Sequence, residues 1–202
     1  MTLFQIILLA ASVFFAYQIY KFVNTLKDGE ANLPSDTGRR DTAAPAQPPR
    51  QSSPDATELL EKADAAYAEG NSGDARLYLE RAEKLDPDNP EVLNKLAFLL
   101  TKDREYEAAL EKYNRSLMLD PEDDLTHNAA AAVLRKLGRF DEAQEHYKSA
   151  VDIDAGYEET YYNYGQLLVE KGDAAGARMM FEKALELKPD YAEARTALEA
   201  LA

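Results

Sequence analysis

The chain has 202 residues, 46% of them hydrophobic and 30% charged, a balance typical of a protein that can bury a core. It contains no cysteine, which excludes disulfide bonds, thiolate metal sites and a cysteine nucleophile. The net charge of −14 belongs entirely to the part after residue 55, where 18 basic residues face 32 acidic ones, so we expect no nucleic-acid partner.

The first predicted element is a single transmembrane helix in residues 1–23. Residues 3–20 read LFQIILLAASVFFAYQIY, and with residues 21–23 they supply the roughly 20 positions that cross about 30 Å of hydrocarbon. A cleaved signal peptide and a buried amphipathic helix are the alternatives. A signal peptide requires basic residues before its apolar run, and none is present here. We therefore expect a single-pass membrane protein held in the bilayer through residues 3–23.

Basic residues follow this helix and none precedes it, namely Lys21, Lys27, Arg39 and Arg40. The positive-inside rule then predicts that the rest of the chain is cytoplasmic. A periplasmic or other extracytoplasmic location is the alternative, because acidic residues lie among these charges.

Residues 24–55 are predicted to be a disordered linker. Five prolines and many Ala, Ser, Thr and Gly residues leave almost no bulky apolar side chain to bury. As a flexible coil, a tether of this length reaches on the order of 30 Å.

One motif then recurs four times, as KLDPDN, MLDPED, DIDAGY and ELKPDY. Its marker residues follow one another at intervals of 34 residues: Pro87, Pro121, Ala155 and Pro189. This period divides residues 56–191 into four structural repeats, at 56–89, 90–123, 124–157 and 158–191.

Each repeat is predicted to be a pair of helices joined by a tight turn. The eighth position is always small, which lets two helices approach closely: Ala63, Ala97, Ala131 and Gly165. Larger apolar residues recur between the small ones at helical spacing, so each helix has an apolar face.

Turn and cap residues mark the ends of these helices. Gly70, Gly138 and Gly172 stand at the fifteenth position and suit the left-handed residue that ends a first helix. The expected N-caps of the following units are Asn89, Asp123 and Asp190.

These residues resemble the tetratricopeptide repeat (TPR) family, whose small-large pattern and terminal proline recur here in four consecutive units. The resemblance implies an all-α, right-handed superhelical solenoid of four TPR helix-turn-helix units. Residues 192–202 predict a short C-terminal capping helix, with Leu198 and Leu201 packed on the fourth unit. The pattern is broken at Arg104, where glycine is expected, and at Ala155, where proline is expected.

The resemblance also implies a concave groove lined by the first helix of each unit. Aromatic and apolar side chains beside amides suit an extended peptide or a partner helix, although a merely solvated inner face is the alternative. Leu60 and Asp64 replace the Lys and Asn that chaperone-binding members carry, so no clamp for a C-terminal carboxylate is expected. The residues expected to line the groove are Leu60, Asp64, Tyr67, Asn94, Phe98, Thr101, Asn128, Arg135, Tyr162 and Gln166.

No catalytic or cofactor motif is found. The sequence has no Gly-rich phosphate loop, nucleophile elbow or HExxH spacing. His127 and His146 are nineteen residues apart on different predicted helices, and we assign them core or surface roles. We expect no enzyme activity, cofactor, metal site or small-molecule substrate.

The sequence thus predicts a membrane-tethered adaptor or assembly factor that binds a partner protein's peptide or helix in the concave groove. The alternative is a self-associating structural scaffold at the membrane. Such a homo-oligomer would form through the tyrosines of the fourth unit: Tyr157, Tyr161, Tyr162 and Tyr164.

Overall fold

A computed structural model describes residues 54–201 of the chain, and these residues form nine helices. The helices are α1 (Pro54–Ala68), α2 (Ser72–Leu85), α3 (Pro90–Lys102), α4 (Tyr106–Leu119), α5 (Asp124–Lys136), α6 (Phe140–Ile153), α7 (Glu158–Glu170), α8 (Ala174–Leu187) and α9 (Ala192–Glu199). The predicted transmembrane helix lies outside the described residues, as does the predicted linker apart from Pro54 and Asp55, which begin α1. Within residues 54–201, no helix has the length and apolar character needed to cross a membrane.

Consecutive helices pack as four pairs, α1 with α2, α3 with α4, α5 with α6 and α7 with α8. Each pair also packs on the next, and α9 packs on α8. The predicted all-α solenoid of four helix pairs with a C-terminal helix is therefore confirmed.

Small residues let the helices of each pair approach closely. Ala97 and Ala131 are fully buried at the eighth position of their units. In the fourth pair, a Cβ added to Gly165 would lie 2.5 Å from Cε1 of Phe181, whose side chain is fully buried. The Phe181 ring thus occupies space that any larger residue at position 165 would need.

The first helix of every pair ends in the same left-handed turn. Gly70 has φ +81°, and the next residue, Asn71, donates its N–H to the Ala66 carbonyl at 2.8 Å. In the second pair Arg104 takes this conformation with φ 64°. A left-handed backbone costs a residue with a Cβ roughly 1–2 kcal/mol, so the departure seen in the sequence is a point of strain.

Two of the three predicted N-caps are confirmed. Asn89 accepts hydrogen bonds from the first turn of α3, and Asp123 accepts one from the first turn of α5. The prediction for Asp190 is wrong, because α9 begins after Tyr191 and has no side-chain cap. Tyr191, the residue before α9, packs its ring against Tyr162, with centroids 5.2 Å apart.

The C-terminal helix covers the end of the fourth pair, as predicted. Leu198 and Leu201 pack against the cluster that contains Leu168 and Phe181. Arg178 on α8 donates a hydrogen bond to the Leu201 carbonyl at 2.9 Å. These contacts shield apolar surface that the last pair would otherwise expose.

Candidate functional site

The first helices of the four pairs, α1, α3, α5 and α7, present one shared surface, here named the first-helix face. Hydrogen bonds with the same separation of 35 residues join consecutive first helices: Lys102 to Tyr67, Asn163 to Asn128, and Arg135 to Glu170. All the predicted groove residues lie on these four helices.

The α1 and α3 part of this face carries an aromatic pair. The rings of Tyr67 and Phe98 meet edge to face with centroids 5.8 Å apart. Lys102 places its ammonium 5.1 and 4.9 Å from the two ring centroids and donates to the Tyr67 hydroxyl at 2.6 Å. Both rings remain substantially exposed, at 38% for Tyr67 and 43% for Phe98.

A pocket of about 220 Å³ opens beside these rings. Apolar residues including Leu79 and Leu99 line it together with Asp64 and Lys95. It can receive an apolar side chain while charged groups remain at its edge.

Asp64 and Lys95 form an ion pair across α1 and α3 at 2.6 Å. Burial opposes the charge of Lys95, but its hydrogen bonds to Asp64 and Glu91 outweigh that effect and raise its pKa. This lysine therefore stays protonated throughout the neutral range.

The middle of the first-helix face is polar. Asn94 donates its amide to Asp123 at 3.2 Å, whereas its buried Oδ1 has no hydrogen-bond partner within the described residues. Arg135 bonds Glu170 at 2.6 Å, and its side chain is only 14% exposed. Asn128 is buried, at 8% exposure, beneath this surface.

At the C-terminal end, Tyr162 and Gln166 lie beside α9. Gln166 donates to the Tyr162 hydroxyl at 3.1 Å. An open cleft of about 440 Å³ between these residues and α9 continues the face.

Leu60, Asn128 and Thr101 are among the predicted groove residues that offer little to a ligand in this structure. Leu60 is buried with 9% of its surface exposed, and the Thr101 hydroxyl donates to the Ala97 carbonyl of its own helix at 2.8 Å. The sequence reasoning missed Lys95 and Lys102, which surround the aromatic pair. The separation of 35 residues between Tyr67 and Lys102 could have identified the latter, since it is one residue more than the repeat length.

The clustered tyrosines of the fourth unit are largely used in internal packing. Tyr161 is buried with 6% exposure. Tyr164 stacks on Tyr147 with centroids 5.6 Å apart, and Tyr162 packs against Tyr191. Tyr157, which is half-buried, donates its hydroxyl to Glu159 at 2.8 Å, so all four tyrosines make contacts within the chain.

Comparisons with known proteins agree with this architecture. No curated protein matches the chain significantly. Among solved structures, the chain is similar to the crystal structure of MamA protein, with 20% identity over 72% of this chain and 80% of that chain and a TM-score of 0.66. A second is YrrB, described as a TPR protein with an unusual peptide-binding site, with 23% identity over 71% of this chain and 74% of that chain and a TM-score of 0.66.

A third is the first TPR of Spaghetti (RPAP3) bound to an HSP90 peptide, with 23% identity over 55% of this chain and 89% of that chain and a TM-score of 0.54. At such identities the likeness shows the fold alone. The family description Tetratricopeptide repeat matches residues 60–124 and again residues 123–190. Because the two matches together span most of the chain and coincide with the stacked helix pairs, the protein belongs to the tetratricopeptide repeat family.

Proposed function

We propose that this protein is a membrane-tethered adaptor whose first-helix face binds a peptide or helix of a partner protein. TPR domains are in general protein–protein interaction modules that bind peptides. In this proposal the pairs stack as a right-handed superhelix, and the first-helix face is its concave wall.

The observation that carries the proposal is the exposure of large apolar side chains along this face. Each first helix leaves one of them more than a third exposed: Tyr67, Phe98, Leu125 and Val169. Scattered exposed apolar residues are normal on a protein surface, and the second helices have them too. The pair of Tyr67 and Phe98 differs because its two rings contact each other and line a pocket of about 220 Å³ that is more enclosed than the open cleft beside Met118 and Ile153.

Polar groups of the first-helix face suit the main chain of a bound segment. Gln166, at the C-terminal end of the face, carries an amide that can pair with the N–H and C=O groups of an extended peptide. The amide of Asn94 is committed within the chain, because its Oδ1 is buried and its N–H group donates to Asp123. The ammonium of Lys102 adds a cation beside the pocket, which favours an acidic residue next to the apolar anchor. YrrB, described as having an unusual peptide-binding site, and the Spaghetti domain, solved with a bound peptide, are consistent with this use of the fold.

Site-specific photocrosslinking in cells tests the proposal. A photoreactive phenylalanine at position 98 places the probe on the first-helix face, and the same probe at Met179, 63% exposed on α8, serves as the matched control. We expect a discrete protein adduct from position 98 that is absent from position 179. Equal adducts from both positions, or adducts from position 179 alone, would contradict the proposal.

The membrane tether is a separate part of the proposal and rests on the apolar run in residues 3–23. We expect the full chain to stay with the membrane fraction after alkaline carbonate washing, whereas a chain that begins at residue 24 is released. A reporter enzyme fused to the C-terminus distinguishes the proposed cytoplasmic location from an extracytoplasmic one. Release of the full chain by carbonate would refute the tether without affecting the binding face.

The alternative of a self-associating scaffold has less support, because the fourth-unit tyrosines pack internally. Sedimentation velocity over a wide concentration range distinguishes the two functions. We expect a monomer, and a dimer at low micromolar concentration would favour the scaffold.

A further inference from the structure

The fold brings together the only two histidines of the chain, a contact that no pattern in the sequence indicates. His127 on α5 and His146 on α6 place their Nδ1 atoms 2.9 Å apart, with ring centroids separated by 5.0 Å. They lie in an open cleft of about 630 Å³ formed by α4, α5, α6 and the turn at Pro121. None of the predicted groove residues lines this cleft, so the pair lies apart from the proposed binding surface.

The hydrogen bond on the far side of His127 sets its tautomer. Its Nε2 lies 3.2 Å from the Pro121 carbonyl oxygen, which can only accept. The Nε2 atom therefore carries the proton, and the Nδ1 atom holds a free lone pair that points at His146. In the neutral pair, His146 donates its own Nδ1–H to that lone pair, so a single proton lies between the two rings.

We propose that His127 and His146 bind a divalent transition-metal ion, Cu²⁺ or Ni²⁺, through their two Nδ1 atoms. The metal displaces the proton shared by the two rings, and that proton passes to solvent as His146 becomes a ligand. The metal lies to one side of the line that joins the two nitrogens, because the midpoint of that line is closer to each nitrogen than a metal–nitrogen bond allows. No oxidation or group transfer is involved.

The spacing of the two nitrogens favours these metals over tetrahedral zinc. Nitrogens bound at about 2.0–2.1 Å lie about 2.9 Å apart when they subtend a right angle at the metal, and about 3.3 Å apart at the tetrahedral angle. The observed 2.9 Å equals the spacing of two adjacent positions of a square-planar or octahedral ion, the geometries that Cu²⁺ and Ni²⁺ adopt. Both rings must turn for this, because their lone pairs have to meet at the metal, to one side of the line that joins the two nitrogens.

The surroundings of the pair fit a metal site in two further respects. Metal-bound histidines usually donate their other ring N–H to a carbonyl or carboxylate, as His127 does to Pro121. The open cleft leaves room for water at the remaining coordination positions, next to Ser149 and Asp152 in its lining. Within residues 54–201 no group of three or more metal-ligating side chains converges, so the protein supplies two ligands here.

The composition of the chain makes a metal-binding test specific to this histidine pair. The protein has no cysteine and no third histidine, so imidazole-dependent metal binding by the full chain, prepared without a polyhistidine tag, reports on this pair alone. We would titrate the full chain with CuCl₂ and NiCl₂ by calorimetry at pH 7.5 and record the paramagnetic resonance spectrum of the Cu²⁺ complex. We expect one bound ion per chain and hyperfine coupling to two nitrogens.

Substitutions then separate the pair from the many surface carboxylates. His127→Gln and His146→Gln should each weaken Ni²⁺ binding by at least about tenfold and reduce the Cu²⁺ spectrum to one coupled nitrogen. Glu182→Gln, which changes an exposed carboxylate of α8 outside this cleft, should leave binding within about threefold. Circular dichroism of each metal-free variant at the titration temperature establishes that it is folded.

Two results would overturn the proposal. One is a Cu²⁺ spectrum of the unaltered protein that shows oxygen ligands only, which needs no variant to fold. The other is equal affinity of the unaltered protein and the double variant His127→Gln/His146→Gln. Neither result bears on partner binding at the first-helix face, so the proposed function would stand.

Discussion

Arg104 is the one non-glycine residue that the described part of the chain holds at positive φ. It occupies the left-handed position that glycine takes in the other three units. Replacing Arg104 with glycine should relieve this strain and raise the free energy of unfolding by about 1 kcal/mol. Urea unfolding of the two proteins measures the difference.

Gly138 provides the reverse change as a control. A Cβ at Gly138 would meet no atom within 4 Å, so Gly138→Ala tests the backbone conformation alone. We expect it to destabilise the protein by about 1 kcal/mol. If Arg104→Gly were neutral while Gly138→Ala destabilised, the side chain of Arg104 would be contributing stability that offsets its strain.

His146 should make stability depend on pH in the mildly acidic range. Burial, together with the charge of His127 on α5, lowers the pKa of His146 below 6.5, while Glu142 on its own helix opposes the shift. Between the two pKa values, His146 is therefore protonated in the unfolded chain and neutral in the folded chain. The free energy of unfolding should therefore be largest above pH 6.5 and fall as the pH drops towards the lowered pKa of the folded state.

Urea unfolding at pH 7.5 and pH 5.5 checks this dependence. The metal-free unaltered protein should lose more stability between the two values than His146→Gln loses. Ion pairing with Lys171 and Arg139 lowers the pKa of the Asp141 and Glu142 carboxyls, so these groups titrate at lower pH and contribute little in this window. An identical loss in both proteins would show that His146 is not the group responsible.

At the scale of single residues, the sequence predicts the positions whose role is set by local backbone geometry. The glycines at the left-handed turns and the caps at Asn89 and Asp123 follow from position within the repeat. The cap at Asp190 does not form, because α9 begins one residue later, after Tyr191, whose ring packs on Tyr162. The contact between His127 and His146 was equally unpredictable, since it depends on how two side chains point between packed helices.

At the scale of the helix, the contact between Gly165 and Phe181 sets how closely α7 and α8 approach. Changing a mid-helix glycine to alanine ordinarily stabilises a protein by roughly 0.5–1 kcal/mol. Here the added Cβ would lie 2.5 and 2.7 Å from two atoms of the buried Phe181 ring. We expect Gly165→Ala to lower the free energy of unfolding by about 1–3 kcal/mol in urea titrations.

A second substitution tests whether this contact is the cause. The first unit has Ala63 and Leu79 at the equivalent positions, so Phe181→Leu should make room for the alanine. The double variant should be more stable than the sum of the single effects predicts. As a matched control, Gly73→Ala in α2 places a Cβ no closer than 3.9 Å to a neighbour and should not destabilise. Additive single effects would rule out the contact with Phe181 as the reason.

The sequence predicts the helices and their pairing because the small and large positions repeat with the chain's period. It predicts the first-helix face less well, since the repeat pattern does not determine the exposed fraction of each side chain. Leu60 and Asn128 stand at repeat positions that are expected to line the groove, yet both side chains are buried. Lys95 and Lys102 reach the face from positions assigned to neither core nor groove, through contacts with the preceding unit.

At the scale of the molecule, the predicted architecture follows from one requirement. A single helix pair cannot cover its own apolar face, so the pairs stack and the last is covered by α9. In the proposed function, the identity of the bound partner depends instead on a few exposed side chains of the first-helix face, which the repeat pattern leaves free to vary. For that reason the sequence predicts a binding surface and leaves its ligand open.

The central claim is that the first-helix face binds a partner polypeptide through the pocket beside Tyr67 and Phe98. The most direct test is the Kd of the crosslinked partner segment for the purified protein, compared between Phe98→Ala and Leu77→Ala. Leu77 is 51% exposed on α2, so its loss removes a similar exposed apolar group from a second helix. We predict that Phe98→Ala raises the Kd by at least about tenfold, while Leu77→Ala changes it less than about twofold. Equal effects of the two substitutions, with both proteins folded, would contradict the claim.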